Sequence, residues 1–228
     1  MLGLIVVIAF GCRLAANILF EGLHEGPSAR GFGADAVEFN AIAGNLVRHG
    51  EYAIVAGHPT SFRAPGFPLA LAGVYAVAGV NNHLAARLFF CLVGAALLVA
   101  VFLLAREIAG ERTALLAAAL AAVYPHLAYY SIHFASEPLF TLLLTLSKWA
   151  FLRAMRRNSA AWYLASGLLL GCAALTRPVG FYFFPFYILI ALWKRQAPWT
   201  SVLARHAVYL AGIAIVVAPW AARNYTAR

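Results

Sequence analysis

Gly33 to Pro68 read GADAVEFNAIAGNLVRHGEYAIVAGHPTSFRAPGFP, inside the only long polar segment of an otherwise apolar chain. Asp35 is the sole aspartate among 228 residues, and Glu38 follows three positions later. The stretch closes on Arg63-Ala64-Pro65-Gly66-Phe67-Pro68, a basic residue set in a turn stiffened by two prolines. Around it, hydrophobic residues make up 64% of the chain and charged residues 11%, with a mean hydropathy of +0.81. Soluble domains are about half apolar and about a quarter charged. The composition therefore describes an all-α polytopic membrane protein, a single membrane domain over 1–228. The net charge of +9 forms no basic face or stripe, which excludes a nucleic-acid partner. Cationic residues gathered in cytoplasmic loops account for it.

A helix crosses the bilayer core with roughly 20 apolar residues, about 17–25 in practice. Seven segments approach that length: 2–20, 84–105, 113–130, 138–153, 160–176, 178–193 and 206–222. The first has no basic leader and is interrupted by Arg13, so it is expected to be a retained span rather than a cleaved signal. Arg13 is expected near the outer end of that span, facing the same cavity as the polar loop or snorkelling. Pro178 predicts a break between the fifth and sixth segments, hence a tight helical hairpin. With the N-terminus inside, Arg106, Arg112, Lys148, Arg153, Arg156, Arg157, Lys194, Arg195 and Arg205 fall in three short inner loops. Loop 21–83 and the turns near 131–137, 177 and 223 then share the outer side of the cytoplasmic membrane, with Arg30, Arg48, Arg63, Arg87, Arg177, Arg223 and Arg228. Cys12, Cys91 and Cys172 stand alone in apolar segments and read as small core residues.

Within loop 21–83, residues 34–48 carry an apolar stripe of Ala34, Val37, Ala41, Ile42 and Leu46 at helical spacing. Asp35 and Glu38 then stand on neighbouring positions of one face in the first turn, where a carboxylate also complements the helix dipole. The apolar run 67–80 is too short to span and suits an interfacial or re-entrant helix.

The chemistry-bearing residues gather on the outer side. Asp35 and Glu38 offer a general base, and Glu137 follows Ser136 in the turn before the fourth span. A helix start, with Ser136 as cap and Glu137-Pro138 in the first turn, explains that pair equally well. Arg63, Arg87, Arg177 and Arg223 present the planar donor forks that suit a phosphate. His58 lies in the same loop, and the histidines show no helical i, i+4 metal spacing. The reading names no cofactor and leaves a divalent cation open.

Five motifs then stand in a recognisable order: the Asp35 loop, Arg63-x-Pro-Gly-x-Pro, Ser136-Glu137, Leu175-Thr176-Arg177-Pro178, and Pro219-Trp220-x-x-Arg223-Asn224-Tyr225. Together, over nearly the whole chain, they resemble the GT-C glycosyltransferases of the protein-mannosyltransferase, aminoarabinose-transferase (ArnT-like) and Rgt-like group. The resemblance implies an inverting enzyme that takes a sugar from a polyprenyl-phosphate carrier to a lipid, glycan or protein outside the cytoplasmic membrane. It implies Asp35 as catalytic aspartate, Arg63 and Arg177 as holders of the carrier phosphate, and Glu137 as the family's acidic residue after the third span. Two departures stand out. Many members have Asp-Glu and then Tyr in the catalytic loop, where this chain has Ala36 and Phe39, with Glu38 as the available second carboxylate. Members also continue into further spans and an outer soluble domain. A truncated or non-catalytic carrier-binding subunit, acting with a partner, is the alternative. A small transporter fits less well, because the mid-span regions hold few charges.

Overall fold

The computed structural model describes residues 1–21, 34–131, 133–193 and 198–226. Arg30, Lys194, Arg195 and Arg228, placed above, lie outside the described residues. The protein is a bundle of apolar helices with a small polar assembly at one end. Helix α1 (Leu2–Ala16) runs into a π-helical turn at Asn17–Glu21 and packs along the first limb of α4 (His83–Val123). Gly110, at φ 82° and ψ 178°, divides α4 into two limbs, as the separate segments 84–105 and 113–130 anticipate. A positive φ of this kind is readily available only to glycine. The second limb stops at Val123, short of the expected 130. Pro125 forbids the residue before it from continuing the helix, and Tyr124 is extended. A short α5 (Pro125–Ser131) follows.

Helix α6 (Glu137–Arg157) is longer than expected and ends where Asn158 takes a left-handed conformation. Lys148, Arg153, Arg156 and Arg157 therefore lie on a helix and not in a loop. The helix is held to that length because Glu107 of α4 receives Arg153 Nε at 2.6 Å and Arg156 Nη1 at 2.9 Å. Helix α7 (Ala160–Thr176) ends before Pro178, and a 3-10 turn (Pro178–Phe183) leads into α8 (Phe184–Trp193), as the proline predicts. Helix α9 (Trp199–Thr226) extends beyond the expected 206–222 at both ends and carries Pro219 within it. The stretches Leu2–Leu19, His83–Val123 and Trp199–Thr226 are long and apolar enough to cross a membrane; Ala160–Thr176 and Pro178–Trp193 are shorter apolar helices.

Close approach replaces bulk where the helices cross. A Cβ on Gly212 of α9 would stand 2.7 Å from the Leu164 carbonyl oxygen of α7, so only glycine lets these backbones meet. Ser147 of α6 and Ser166 of α7 donate reciprocally to each other's carbonyls at 2.9 Å. Cys91 is buried, but Cys12 faces outward from α1, so not every cysteine is a core residue.

At the polar end, α2 (Ala34–His49) lies on α3 (Gly66–Ala78), and between them a two-residue turn joins strands β1 (Ala53–Val55) and β2 (His58–Pro59). The buried residues of α2 include Ala36, Phe39, Ile42 and Ala43, and Ala36, Phe39 and Ala43 pack against Phe67, Leu71, Tyr75, Phe90 and Phe134. Of the predicted stripe, Ile42 is fully buried and Leu46 packs against the core, but Val37 is 42% exposed while Phe39 is 7%. Burying the aromatic ring gains more than burying valine, and it sets the face. Helix α3 is a short helix of 13 residues, as expected, and is capped at Gly79.

Candidate active site

The two carboxylates of the polar loop meet one arginine. Asp35 and Glu38 stand in the first turns of α2, and Arg63 reaches them from the turn preceding α3. Arg63 Nη2 donates to Asp35 Oδ1 and Nε to Glu38 Oε2, each at 2.5 Å. Ala36, which stands where family members place a second acid, is buried in the core beneath α2. Glu38 instead shares the face of Asp35, one helical turn on. The Asp35 side chain is more than half exposed, and those of Glu38 and Arg63 about one fifth. Burial lowers the Arg63 pKa, but the hydrogen bond to Glu38 and the charge of Asp35 outweigh it, and the guanidinium sits above its ordinary value. It also stacks on Phe62 and Phe39, at 4.7 and 5.7 Å from the ring centres. One cation against two anions leaves this cluster one negative charge in excess. Among the described residues, Arg63 Nη1 makes no hydrogen bond.

Arg177 forms the second charged pair, to Glu137 Oε1 at 2.5 Å, and it donates to Ser136 Oγ at 3.1 Å. Ser136 occupies the N-cap position of α6 as expected, but its hydroxyl serves Arg177 and makes no cap hydrogen bond. Backbone contact joins the two charged pairs. Gly66, three residues after Arg63, lies against Thr176, one residue before Arg177. A Cβ at Gly66 would fall 2.8 Å from the Thr176 Cα. The Arg-x-Pro-Gly and Thr-Arg-Pro motifs, about 110 positions apart in the chain, are thus in van der Waals contact.

Arg223, near the end of α9, returns to the same end of the bundle. Its Nη1 donates to the Thr60 carbonyl at 2.6 Å and to Asn224 Oδ1 at 3.0 Å, and its Nη2 to the Tyr52 carbonyl at 3.3 Å. His58 is exposed on β2. Arg87 stands apart: it is 1% exposed, donates to Asn17 Oδ1 at 3.0 Å and lies over the Phe134 ring. Arg13 is likewise inside the bundle, 2% exposed, between α1 and α4, donating back to the Ala9 carbonyl. Its expected place near an outer cavity is therefore wrong. Its side chain points toward the N-terminus of its helix, as helical side chains do, and Gly94 makes room for it.

Among the described residues, no three His, Cys, Asp or Glu side chains gather as a metal-holding group. Asp35 and Glu38 are the two carboxylates that could share a cation, and both are turned to Arg63. Sequence reasoning missed Tyr52, which is 7% exposed and gives its hydroxyl to the Arg63 carbonyl at 3.0 Å. The signal was present: Ala53-Ile54-Val55 and His58-Pro59 flank a Gly57 turn, a hairpin pattern that places Tyr52 at its base.

Paired carboxylates and arginines thus collect at one end of a bundle of apolar helices, the architecture of a polytopic membrane protein. The family model of dolichyl-phosphate-mannose-protein mannosyltransferases matches residues 58–222, and the chain belongs to that family. No curated protein matches the chain. Membership carries glycosyl transfer from a polyprenyl-phosphate-linked sugar in a membrane setting. The match includes Arg63, Ser136, Glu137 and Arg177 and stops one residue short of Arg223. Asp35 and Glu38 lie before its start and are tied to it through Arg63.

Proposed function

We propose that the polar end of the bundle is an inverting glycosyltransferase site on the outer face of the cytoplasmic membrane, moving sugar from a polyprenyl phosphate to a lipid, glycan or protein hydroxyl. The observation that carries the reading is the Asp35–Arg63–Glu38 cluster packed, through Gly66 and Thr176, beside the Arg177–Glu137 pair. In this reading Asp35 takes the proton of the acceptor hydroxyl. The acceptor oxygen forms its bond to the anomeric carbon on the face opposite the phosphate. The carbon–oxygen bond to phosphate breaks, its electron pair leaves on the phosphate, and Arg63 and Arg177 hold that charge. Glu38 fixes Arg63 from the other side, and Glu137 with Ser136 orients Arg177. Arg87, sealed in the bundle, is left out of the phosphate site.

The carrier-binding subunit without catalysis shares every arginine of this site, so the test begins with binding and ends with turnover. Arg63→Ala and Arg177→Ala should each weaken polyprenyl-phosphate binding by roughly tenfold or more, the worth of a charged hydrogen bond, in the protein reconstituted in nanodiscs. Unchanged affinity in both variants sinks the phosphate role. Donor consumption by the wild-type protein separates the enzyme from the subunit.

A further inference from the structure

We infer that Arg223, with Tyr52 and Trp220, is a positioning unit for Arg63 and not a ligand of the donor phosphate; the inference rests on the site proposed above. Four observations lead to it. First, three of the five Arg223 N–H donors go to carbonyl oxygens, those of Thr60, Tyr52 and the Asn224 side chain. Thr60 and Tyr52 lie on either side of the β1–β2 hairpin, 163 and 171 positions away in the chain, and Arg223 binds both. Second, two aromatic rings lie against one side of it. The guanidinium carbon is 5.4 Å from the Tyr52 ring centre and 5.0 Å from that of Trp220. Those two rings meet edge-on at 4.7 Å. A guanidinium engaged at its edge and stacked on two rings is fixed in place.

Third, what Arg223 holds is itself attached to the charged cluster. The Tyr52 hydroxyl donates to the Arg63 carbonyl at 3.0 Å. Burial pushes the Tyr52 phenol well above its ordinary value, against the lowering effect of Arg223 and Arg63, so the donor proton stays in place. Fourth, the Arg63 backbone needs such an anchor. It lies in the segment between β2 and α3, where no strand or helix holds it. Its side chain must nevertheless meet two carboxylates at 2.5 Å. The route thus runs from α9 through Arg223 to Tyr52, from Tyr52 to the Arg63 backbone, and from the Arg63 side chain to Asp35 and Glu38. The element farthest along the chain thereby sets the geometry of the base.

A phosphate ligand and a residue that acts through Arg63 leave different marks. Three variants, Arg223→Ala, Tyr52→Phe and the double variant, are compared in nanodiscs for polyprenyl-phosphate affinity, and in native membranes for the rate at which polyprenyl phosphate is released from the polyprenyl-phosphate sugar. The positioning unit acts through Arg63, so any loss of affinity in these variants is no larger than that of Arg63→Ala and disappears in an Arg63→Ala background. Release slows about 10- to 100-fold in Arg223→Ala, the scale of a 1 Å misplacement. Tyr52→Phe, which removes one hydroxyl, slows it about fivefold. The double variant is no slower than Arg223→Ala, because both changes cut one route. A loss of affinity in Arg223→Ala that persists in the Arg63→Ala background, additive effects, or a Tyr52→Phe protein like wild type each overturns the inference. If Arg223→Ala does not fold, the isosteric Tyr52→Phe carries the test alone.

A readout independent of turnover keeps this separate from the proposed activity. The Arg63 Nε–H nitrogen resonance, held by Glu38 in the wild type, should move to the position of a solvated arginine in Tyr52→Phe and Arg223→Ala. An unmoved resonance overturns the inference. A moved resonance in a protein that releases no polyprenyl phosphate upholds the positioning unit and removes the enzymatic reading.

Discussion

Arg63 is the residue on which the account turns, because it touches both carboxylates and sits in the turn that packs against Thr176. The short distances to Asp35 and Glu38 make the three side chains one unit, so their effects will not add. Glu38→Gln should reduce turnover by roughly tenfold, the loss of one charged hydrogen bond. Its effect on polyprenyl-phosphate affinity should be neutral or favourable, since a negative charge is removed. A Glu38→Gln protein with wild-type turnover and weaker donor binding contradicts this. Asp35 and Glu38 were legible as a pair, because i, i+3 spacing in a helix puts two side chains on one surface whatever they bind. Their partner was legible as a type, a basic residue in a rigid turn, but not as the guanidinium between them. Arg87 and Arg13 went the other way. A charged residue at a span end reads as facing an aqueous site, yet both are enclosed by helices. The enclosure depends on glycine and asparagine at Gly94 and Asn17, whose relevance only the packed bundle reveals.

At the scale of elements, the junction between the α3 start and the α7 end brings the two arginine motifs together. Gly66→Ala places a methyl carbon within 3 Å of Thr176 backbone. It should destabilise the protein by about 1–3 kcal/mol and depress turnover beyond what Arg177→Ala alone causes, since both motifs shift. Thermal unfolding and donor consumption check it together, and a fully active, equally stable variant contradicts the junction. Most elements follow from local rules: the Pro178 break, the Gly110 division, and the α2 helix with its acidic first turn. The errors fell where tertiary contacts override those rules. In α2, Val37 is exposed and Phe39 takes the inner face, where it meets Phe67 at 5.0 Å. Helix α6 grew because Glu107, 46 and 49 positions away, fastens Arg153 and Arg156. Neither contact leaves a mark in local periodicity.

For the whole molecule, the polar loop and the starts or ends of α3, α4, α6, α7 and α9 share one end, and the Glu107 cluster with its arginines marks the opposite one. The crowding of basic residues at that opposite end supports an outside position for Asp35, by the tendency of cationic loops to stay in the cytoplasm. A cysteine introduced at the exposed position of His58 should react with an impermeant thiol reagent added to intact cells. Reaction only after permeabilisation reverses the orientation. Composition alone sufficed for the class of molecule, since a 64% apolar chain has no other way to hide its surface. Which arginines face the substrate depended on packing among residues far apart in sequence. The most direct measurement is release of polyprenyl phosphate from a polyprenyl-phosphate sugar by wild-type and Asp35→Asn proteins with equal donor affinity. The account predicts a rate lower by about 10²–10⁴-fold in Asp35→Asn, the worth of a general base. Equal rates in the two proteins would contradict it.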